Sequence, residues 1–428
     1  MTLNPTTPQG SRPPTVEALD STVIPHACEP ETLPSRRASF GARLLGVDVA
    51  RALALIGMIA VHLLSEVNSQ GVMSVPFVLA AGNSSALFAV LAGVGIAFST
   101  GRDHPPNGRP WVGAMLRVVV RAVLIIAIGL ALGSLVPPDR AHVILAAYGV
   151  MFLLAVPLLR LPAAVLAILA GVFAVGLPIL SHLLRQDIPI TATTNPTFTD
   201  LFTEPGSTLR ELVLTGTFPA LPWMAYLCAG LAIGRLSLQL RGPAIRITAI
   251  GIASLLLAST GSWILLQRMG GLEALGAAAA PIMSRQDFAD TLVWGAEGTL
   301  PTNSAWWLAV LAPHTTTPFD LAYTMGVALT VLGLALIFAV VAPAAFRPLA
   351  RFGSMPLTMY ALHLVLLVLP FLPEDGVVAF GIHVVVLAVV ALAWGRFFKR
   401  GPLEHVLWWI AHRATRPVTG SSSGSITS

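Results

Sequence analysis

Val47-Asp48-Val49-Ala50-Arg51-Ala52-Leu53-Ala54-Leu55-Ile56-Gly57-Met58-Ile59-Ala60-Val61-His62 reads as one apolar helix carrying ionisable side chains within it. From Arg51 to His62 the chain takes eleven steps of roughly 100° each, which return to nearly the same face with a rise of about 16 Å. Arg and His therefore share one stripe, half a bilayer apart. Ionisable residues inside a membrane usually face a protein interior or a water-filled cavity, so this helix is expected to line a polar tunnel.

The chain around it is 428 residues long, 55% hydrophobic and only 11% charged, a balance that excludes an ordinary soluble domain. Apolar runs long enough to cross the bilayer recur at 45–64, 77–99, 112–136, 143–160, 162–184, 215–234, 244–266, 320–342, 353–373 and 376–397. The predicted fold is all-α, a polytopic bundle of about ten transmembrane helices over 43–413. Residues 1–42, rich in Pro, Thr and Ser, read as a disordered cytoplasmic arm without a signal peptide, and 414–428 as a disordered tail. Of the 25 Lys and Arg residues, twenty fall on the side of the N-terminal arm and five opposite, which predicts both termini in the cytoplasm. An even number of spans agrees with that. The net charge of +5 mostly reflects this bias and gives no argument for nucleic acid. Cys28 and Cys228 fall in the arm and in a span, which argues against a disulfide. Arg outnumbers Lys 24 to 1, which fits a GC-rich bacterial genome, and the expected location is the plasma membrane.

Two long external segments, 185–214 and 267–319, interrupt the hairpins and read as non-helical loops. The second carries Trp294, Trp306, Trp307 and His314. It fits either a lid or an aromatic belt anchoring the loop at the interface. Residues 402–413 begin with Pro402 and read as an amphipathic helix on the cytoplasmic surface. Gly93, Gly95, Gly129 and Gly133 suit close helix packing.

Arg51, in the cytoplasmic third of its span, is suited to gripping phosphate, and Asp48 is placed to hold it. Arg117 and Arg121, four apart, form a second basic edge for a phosphorylated cofactor. His62, near the external end, has a side chain suited to a general base or an acyl carrier. Spacing alone also fits an interfacial Asp48–Arg51 pair with an outward-reaching His62, and positive-inside anchoring for the two arginines. Glu66, Asn83, Ser84 and Ser85 lie around the external end of the first hairpin and can hydrogen-bond a polar acceptor or cap helices. His314 and His363 are further candidates for substrate binding, although His363 and His383, within spans, also suit a structural role. His142, His182 and His314 are too scattered in sequence for a metal site. The glycine loops of soluble nucleotide-binding domains are missing.

The segment from Arg43 to Met58, followed by Ser85-Ala86-Leu87-Phe88-Ala89-Val90-Leu91-Ala92-Gly93-Val94-Gly95, resembles the heparan-α-glucosaminide N-acetyltransferase family and its bacterial relatives. Pro219-Ala220-Leu221-Pro222-Trp223-Met224-Ala225-Tyr226, Gly230-Leu231-Ala232-Ile233-Gly234-Arg235 and Gly401-Pro402-Leu403-Glu404 are similar to a related family of bacterial membrane proteins. The Arg51–His62 spacing and Met359-Tyr360-Ala361-Leu362-His363 are similar to motifs of the wider acyltransferase-3 superfamily. The resemblance implies transfer of an acyl group, acetyl foremost, from cytosolic acyl-CoA to an amine or hydroxyl on a sugar or cell-envelope glycan across the membrane. It makes His62 catalytic and places Arg51, Asp48, Arg117 and Arg121 toward the co-substrate. The heparan enzymes carry the active histidine in the loop after the first helix, whereas 65–76 here contains none, so His62 takes that role from within the helix. No metal is expected. The partners implied are the lipid bilayer, acyl-CoA and the acceptor; a homodimer is compatible with the sequence, though no segment compels one. The rival reading is a transporter or exporter of a small polar or lipid-linked molecule along the same stripe.

Overall fold

The structure, a computed structural model, describes residues 36–102, 104–190, 193–236, 241–296 and 298–419. Most of the proposed arm and the end of the proposed tail lie outside the described residues. Eleven helices carry the argument: α1 (Arg36–Leu63), α2 (Asn83–Ser99), α3 (Arg109–Gly133), α4 (Leu145–Ala155), α5 (Ala163–Leu184), α6 (Ala220–Arg235), α7 (Arg241–Trp263), α8 (Pro318–Val341), α9 (Pro356–Leu367), α10 (Gly376–Phe397) and α11 (Pro402–Thr419). Among the described residues there is no β-strand, only an isolated bridge between Val67 and Met73.

This is a multi-pass membrane protein. Among the described residues, seven helical segments are long and apolar enough to cross a bilayer, and the bent pair Pro205–Thr215 and Ala220–Arg235 would make an eighth. Two more apolar helices, Leu145–Leu158 and Pro356–Leu367, are shorter than a full span. The helices occur where the ten apolar runs predict them, but length alone does not make every one a crossing. α1, α2, α6 and α8 form the centre. α5, α7 and α10 lie at the periphery and leave side chains such as Ile168, Leu257 and Val385 exposed, as a lipid-facing surface requires.

Small residues let the central helices approach closely. A Cβ added to Gly230 would collide with the carbonyl oxygen of Val90, and one added to Gly93 would collide with that of Leu227. Gly129 packs in the same way on Ala146, and Gly133 on Pro196. Gly95 differs, because its missing side chain would lie 3.3 Å from Nη2 of Arg51. It makes room for the guanidinium rather than for a neighbouring helix.

The external segments depart from the sequence reading. They contain helices Phe198–Thr203, Pro205–Arg210, Gly271–Ala279 and Arg285–Trp294, two of which start in capping boxes at Thr197/Asp200 and Ser284/Asp287. Trp307 is fully buried in a small second core with Leu275, Leu300 and Val310, and its Nε1 donates to Asn303. It is therefore a packing centre and not a member of an interfacial belt. At the C-terminus, α11 extends past residue 413 and buries Leu407, Ala411 and Thr415 while exposing Val406 and Trp409.

Substituting Gly230 with Val should over-pack the α2–α6 contact by about 1–3 kcal/mol. Gly171→Val, at a position with open space, should be close to neutral. Thermal unfolding followed by size-exclusion fluorescence would separate the two, with a lowered midpoint expected for Gly230→Val alone.

Candidate active site

The site begins near the middle of α1. Nη1 of Arg51 donates to Oδ1 of Asp48 at 2.8 Å, one helical turn away. Gly353, ending helix Pro343–Gly353, lets the backbone pack directly on Asp48. Beside the ion pair lies a cavity of about 610 Å³ lined by Arg51, Arg117, Arg121, Arg400, Glu404 and Trp408 among others. This volume is within the range of small-molecule sites, roughly 300–1,000 Å³. The fold thus brings together the three arginines expected from sequence and adds Arg400, whose guanidinium lies 4.3 Å from the Trp408 ring centroid.

Glu404 shows how the distant C-terminal segment reaches this cavity. Its Oε1 accepts from the backbone N–H groups of Leu357 at 2.8 Å and Thr358 at 3.2 Å, while Oε2 accepts from the Thr358 hydroxyl at 2.5 Å. A carboxylate thereby satisfies orphan donors at the N-terminus of α9. The same contact seats the beginning of α11.

An aromatic partition stands deeper in the bundle. Phe88 stacks on Tyr148 with centroids 5.8 Å apart and lies 6.3 Å from Tyr360. The Tyr148 hydroxyl donates to the Ser85 carbonyl at 3.0 Å, and the Tyr360 hydroxyl accepts from the Ile144 N–H at 3.3 Å. Phe88 and Tyr148 face the arginine cavity; Ser85, Ile144 and Tyr360 line a second, small cavity of about 40 Å³ with His62, Ser84, His142 and His314. His62 also lines a third, larger cavity of about 690 Å³, whose walls include Asp139, Arg140 and Glu374.

His142 and His314, distant in sequence, thus meet around His62. Asn195 holds the loop that carries His142: its Oδ1 accepts from the Val143 N–H, and its Nδ2 donates to the Val136 and Ala141 carbonyls, each at 2.8 Å. His314 packs edge-on against Phe218, 5.4 Å between centroids. It has a positive φ of 60°, as does Thr316 at 55°, a conformation that costs a residue with a side chain on the order of 1–2 kcal/mol. The Nδ1 atoms of His142 and His314 are both buried without a hydrogen-bond partner. Burial, reinforced by His142, pushes His314 down to about 4, and burial also lowers His142, so both are neutral imidazoles at neutral pH.

The remaining candidates divide. Ser84 and Ser85 line the His62 cavity. Buried Asn83 instead donates to the carbonyls of Val78 and Leu79, both at 3.3 Å, and ties α2 to the short helix Val75–Ala80. Glu66 is exposed on the loop after α1 and lines neither cavity with His62. His363 sits beside His62 but lines neither of those cavities; its Nε2 is 2.9 Å from Nδ1 of His62. Among the described residues no group of three or more His, Cys, Asp or Glu side chains is arranged to hold a metal ion.

A membrane-embedded helical bundle with a basic cavity on one side of an aromatic wall and a histidine cluster on the other has the parts of a membrane transferase. Residues 43–267, just over half of the chain, match the model of the heparan-alpha-glucosaminide N-acetyltransferase catalytic family, and the chain belongs to that family. This membership implies an acetyltransferase. Among curated proteins no match is found.

The neutral burial of His314 sets a pH dependence. Its folded value is about 4 against an ordinary 6.5, so between these limits the unfolded chain binds more protons and stability falls as pH drops. His314→Gln should flatten the fall in thermal midpoint between about pH 6.5 and pH 4, relative to the unsubstituted protein. Unfolding scans across that window would check the slope.

Proposed function

We propose that the protein transfers an acyl group, acetyl foremost, from cytosolic acyl-CoA to an amine or hydroxyl of a sugar or cell-envelope glycan at the external face of a bacterial plasma membrane. In this reading the ten apolar helices each cross, both termini are cytoplasmic, and the arginine cavity opens inward. The observation that carries it is the arrangement of two cavities on opposite sides of one aromatic wall, with guanidinium groups on one side and His62 on the other. Arg51, Arg117, Arg121 and Arg400 supply fixed positive charge for the phosphates of the co-substrate, and Asp48 holds Arg51 in place. The acyl arm passes Phe88, Tyr148 and Tyr360 to reach His62. The acceptor enters through the larger cavity beside His62, where Asp139, Arg140 and Glu374 offer polar contacts to hydroxyl and amine groups.

At His62 the acceptor nitrogen or oxygen attacks the thioester carbon, forming the new bond, while the carbonyl π electrons move onto oxygen. Nε2 of His62 takes the acceptor proton. The oxygen then re-forms the carbonyl double bond as the C–S bond breaks, its electron pair leaving with sulfur, and the departing thiolate takes that proton from His62. His142 and His314 line the small cavity, and in this reading a ring N–H of each donates to the oxygen as it gains charge. Excluding bulk water there limits hydrolysis of the thioester. The bent helix pair before α6 is a feature that transporters share, but membership of an acetyltransferase family favours chemistry over translocation.

Purified protein in detergent should bind radiolabelled acetyl-CoA saturably, and Arg51→Ala should weaken binding by roughly 10–100-fold, the effect of losing one hydrogen bond to a charged group. His62→Ala should leave binding intact and lower transfer to glucosamine by about 10²–10⁴-fold. Folded protein that binds no acyl-CoA would overturn the reading.

A further inference from the structure

The turn that carries His314 is strained, and nothing in the transfer steps accounts for what holds it. His314 and Thr316 both have positive φ, at 60° and 55°. The left-handed region is ordinary for glycine, uncommon for His and an outlier for β-branched Thr. Two such residues within three positions persist only where their surroundings over-determine the backbone. Here they do so from several sides. Gly295 has no room for a side chain, because the carbonyl oxygen of Pro313 occupies that place. The Thr315 hydroxyl donates to the Ala312 carbonyl at 2.8 Å, and the Thr317 hydroxyl to the Val310 carbonyl at 2.6 Å.

Asp320 closes the turn. Its Oδ2 accepts from the Thr316 N–H at 2.8 Å, and its own N–H donates to the Thr317 hydroxyl oxygen at 3.0 Å. The first bond fixes the second left-handed residue; the second caps α8. Asp320 is only 5% exposed, and among the described residues the one ion pair is Asp48–Arg51, so no ion pair offsets the burial of this acid. Its backbone carbonyl accepts from the Thr324 hydroxyl at 2.7 Å, and the Thr324 oxygen lies 2.6 Å from the Tyr226 hydroxyl. The turn is thus tied through α8 to α6, both central helices, while its other end presents His314 to the small cavity beside His62.

We infer that Asp320 is a positioning residue: by accepting from the Thr316 N–H it fixes the left-handed turn and holds the His314 imidazole at the His62 cavity. That role rests on the proposed transfer, in which a ring N–H of His314 donates to the oxygen as it gains charge. A donor held in place before the charge develops needs no reorganisation during the reaction. On a relaxed turn the ring would have to be ordered for each transfer, and a misplacement of about 1 Å can cost roughly 10²-fold in rate. No residue of the turn lines the arginine cavity, so binding of the co-substrate should not depend on Asp320.

Hydrogen exchange and kinetics on the full chain in detergent would test this. Asp320→Leu removes the acceptor at similar size. Exchange of the amides between Pro313 and Pro318 should rise roughly 10-fold, as loss of one hydrogen bond implies, with α1 and α2 still protected. In the same variant kcat for acetyl-CoA, with glucosamine as probe acceptor, should fall about 10–100-fold while KM for acetyl-CoA stays nearly unchanged. Asp320→Asn keeps an oxygen able to accept from the Thr316 N–H and should retain most of the protection and the rate. In a His314→Ala background, adding Asp320→Leu should slow transfer by no more than about 2-fold, because the ring it positions is gone. Faster exchange with unchanged kcat, a full additional loss in the His314→Ala background, or an Asn variant as slow as Leu would overturn the inference. Should Asp320→Leu fail to fold, Thr317→Val, which removes the cap at nearly constant shape, carries the same measurements with the same expected signs. A protected turn that loosens in Asp320→Leu, in a protein that binds no acetyl-CoA and turns none over, would overturn the acyltransfer reading while leaving the bond from Thr316 to Asp320 as the turn's clasp.

Discussion

A charge placed inside hydrocarbon must be solvated by the protein, and Arg51 imposes that demand on the first helix. An arginine at the centre of an apolar helix costs about 2.5–3.5 kcal/mol on insertion scales, so its surroundings must accommodate it. Asp48 does so directly, one turn away on the same helix. Gly95 leaves room beside the guanidinium, and Gly353 lets a later helix close against the backbone of Asp48. The polar cavity is the space left when the other helices satisfy this demand while turning their apolar faces toward lipid.

The part of the chain matched by the family model supplies Arg51, His62, Arg117, Arg121 and His142, while the remainder completes their environment. His314 precedes α8, His363 lies on α9, and His383 on α10. Arg400 and Glu404 arrive at the far end of the chain. Glu404 illustrates the economy of the connection, because one carboxylate caps α9, seats α11 and borders the arginine cavity. The C-terminal helix is therefore integrated with the core rather than simply resting on its surface.

Features that depend on local spacing were legible in the sequence. The i,i+3 Asp48–Arg51 pair, the apolar runs and the closely packed glycines follow from helix periodicity and from side-chain size. The short helices in the external segments had a visible signal as well: Thr197 and Ser284 each precede an Asp by three residues, and Pro205 is a good first helical residue. The length of these segments concealed it. The meeting of His62, His142, His314, His363 and His383 was not legible, because nothing local to any one histidine specifies loops and helices hundreds of residues away. Asn195 is hidden for the same reason, since all three of its partners lie in the earlier loop. Trp307 misleads because an interfacial tryptophan and a buried one look alike in a linear sequence.

The wall formed by Phe88, Tyr148 and Tyr360 has a consequence for the cell as well as for the reaction. Cavities entering a membrane protein from its two ends shorten the barrier to whatever thickness of protein remains between them. In the orientation proposed above, this thin wall must also act as an electrical seal. Its rings are apolar, and the tyrosine hydroxyls are engaged with backbone groups of Ser85 and Ile144. Passing an acyl arm while retaining the ion gradient would require the wall to fit the chain closely enough that no continuous file of water follows it.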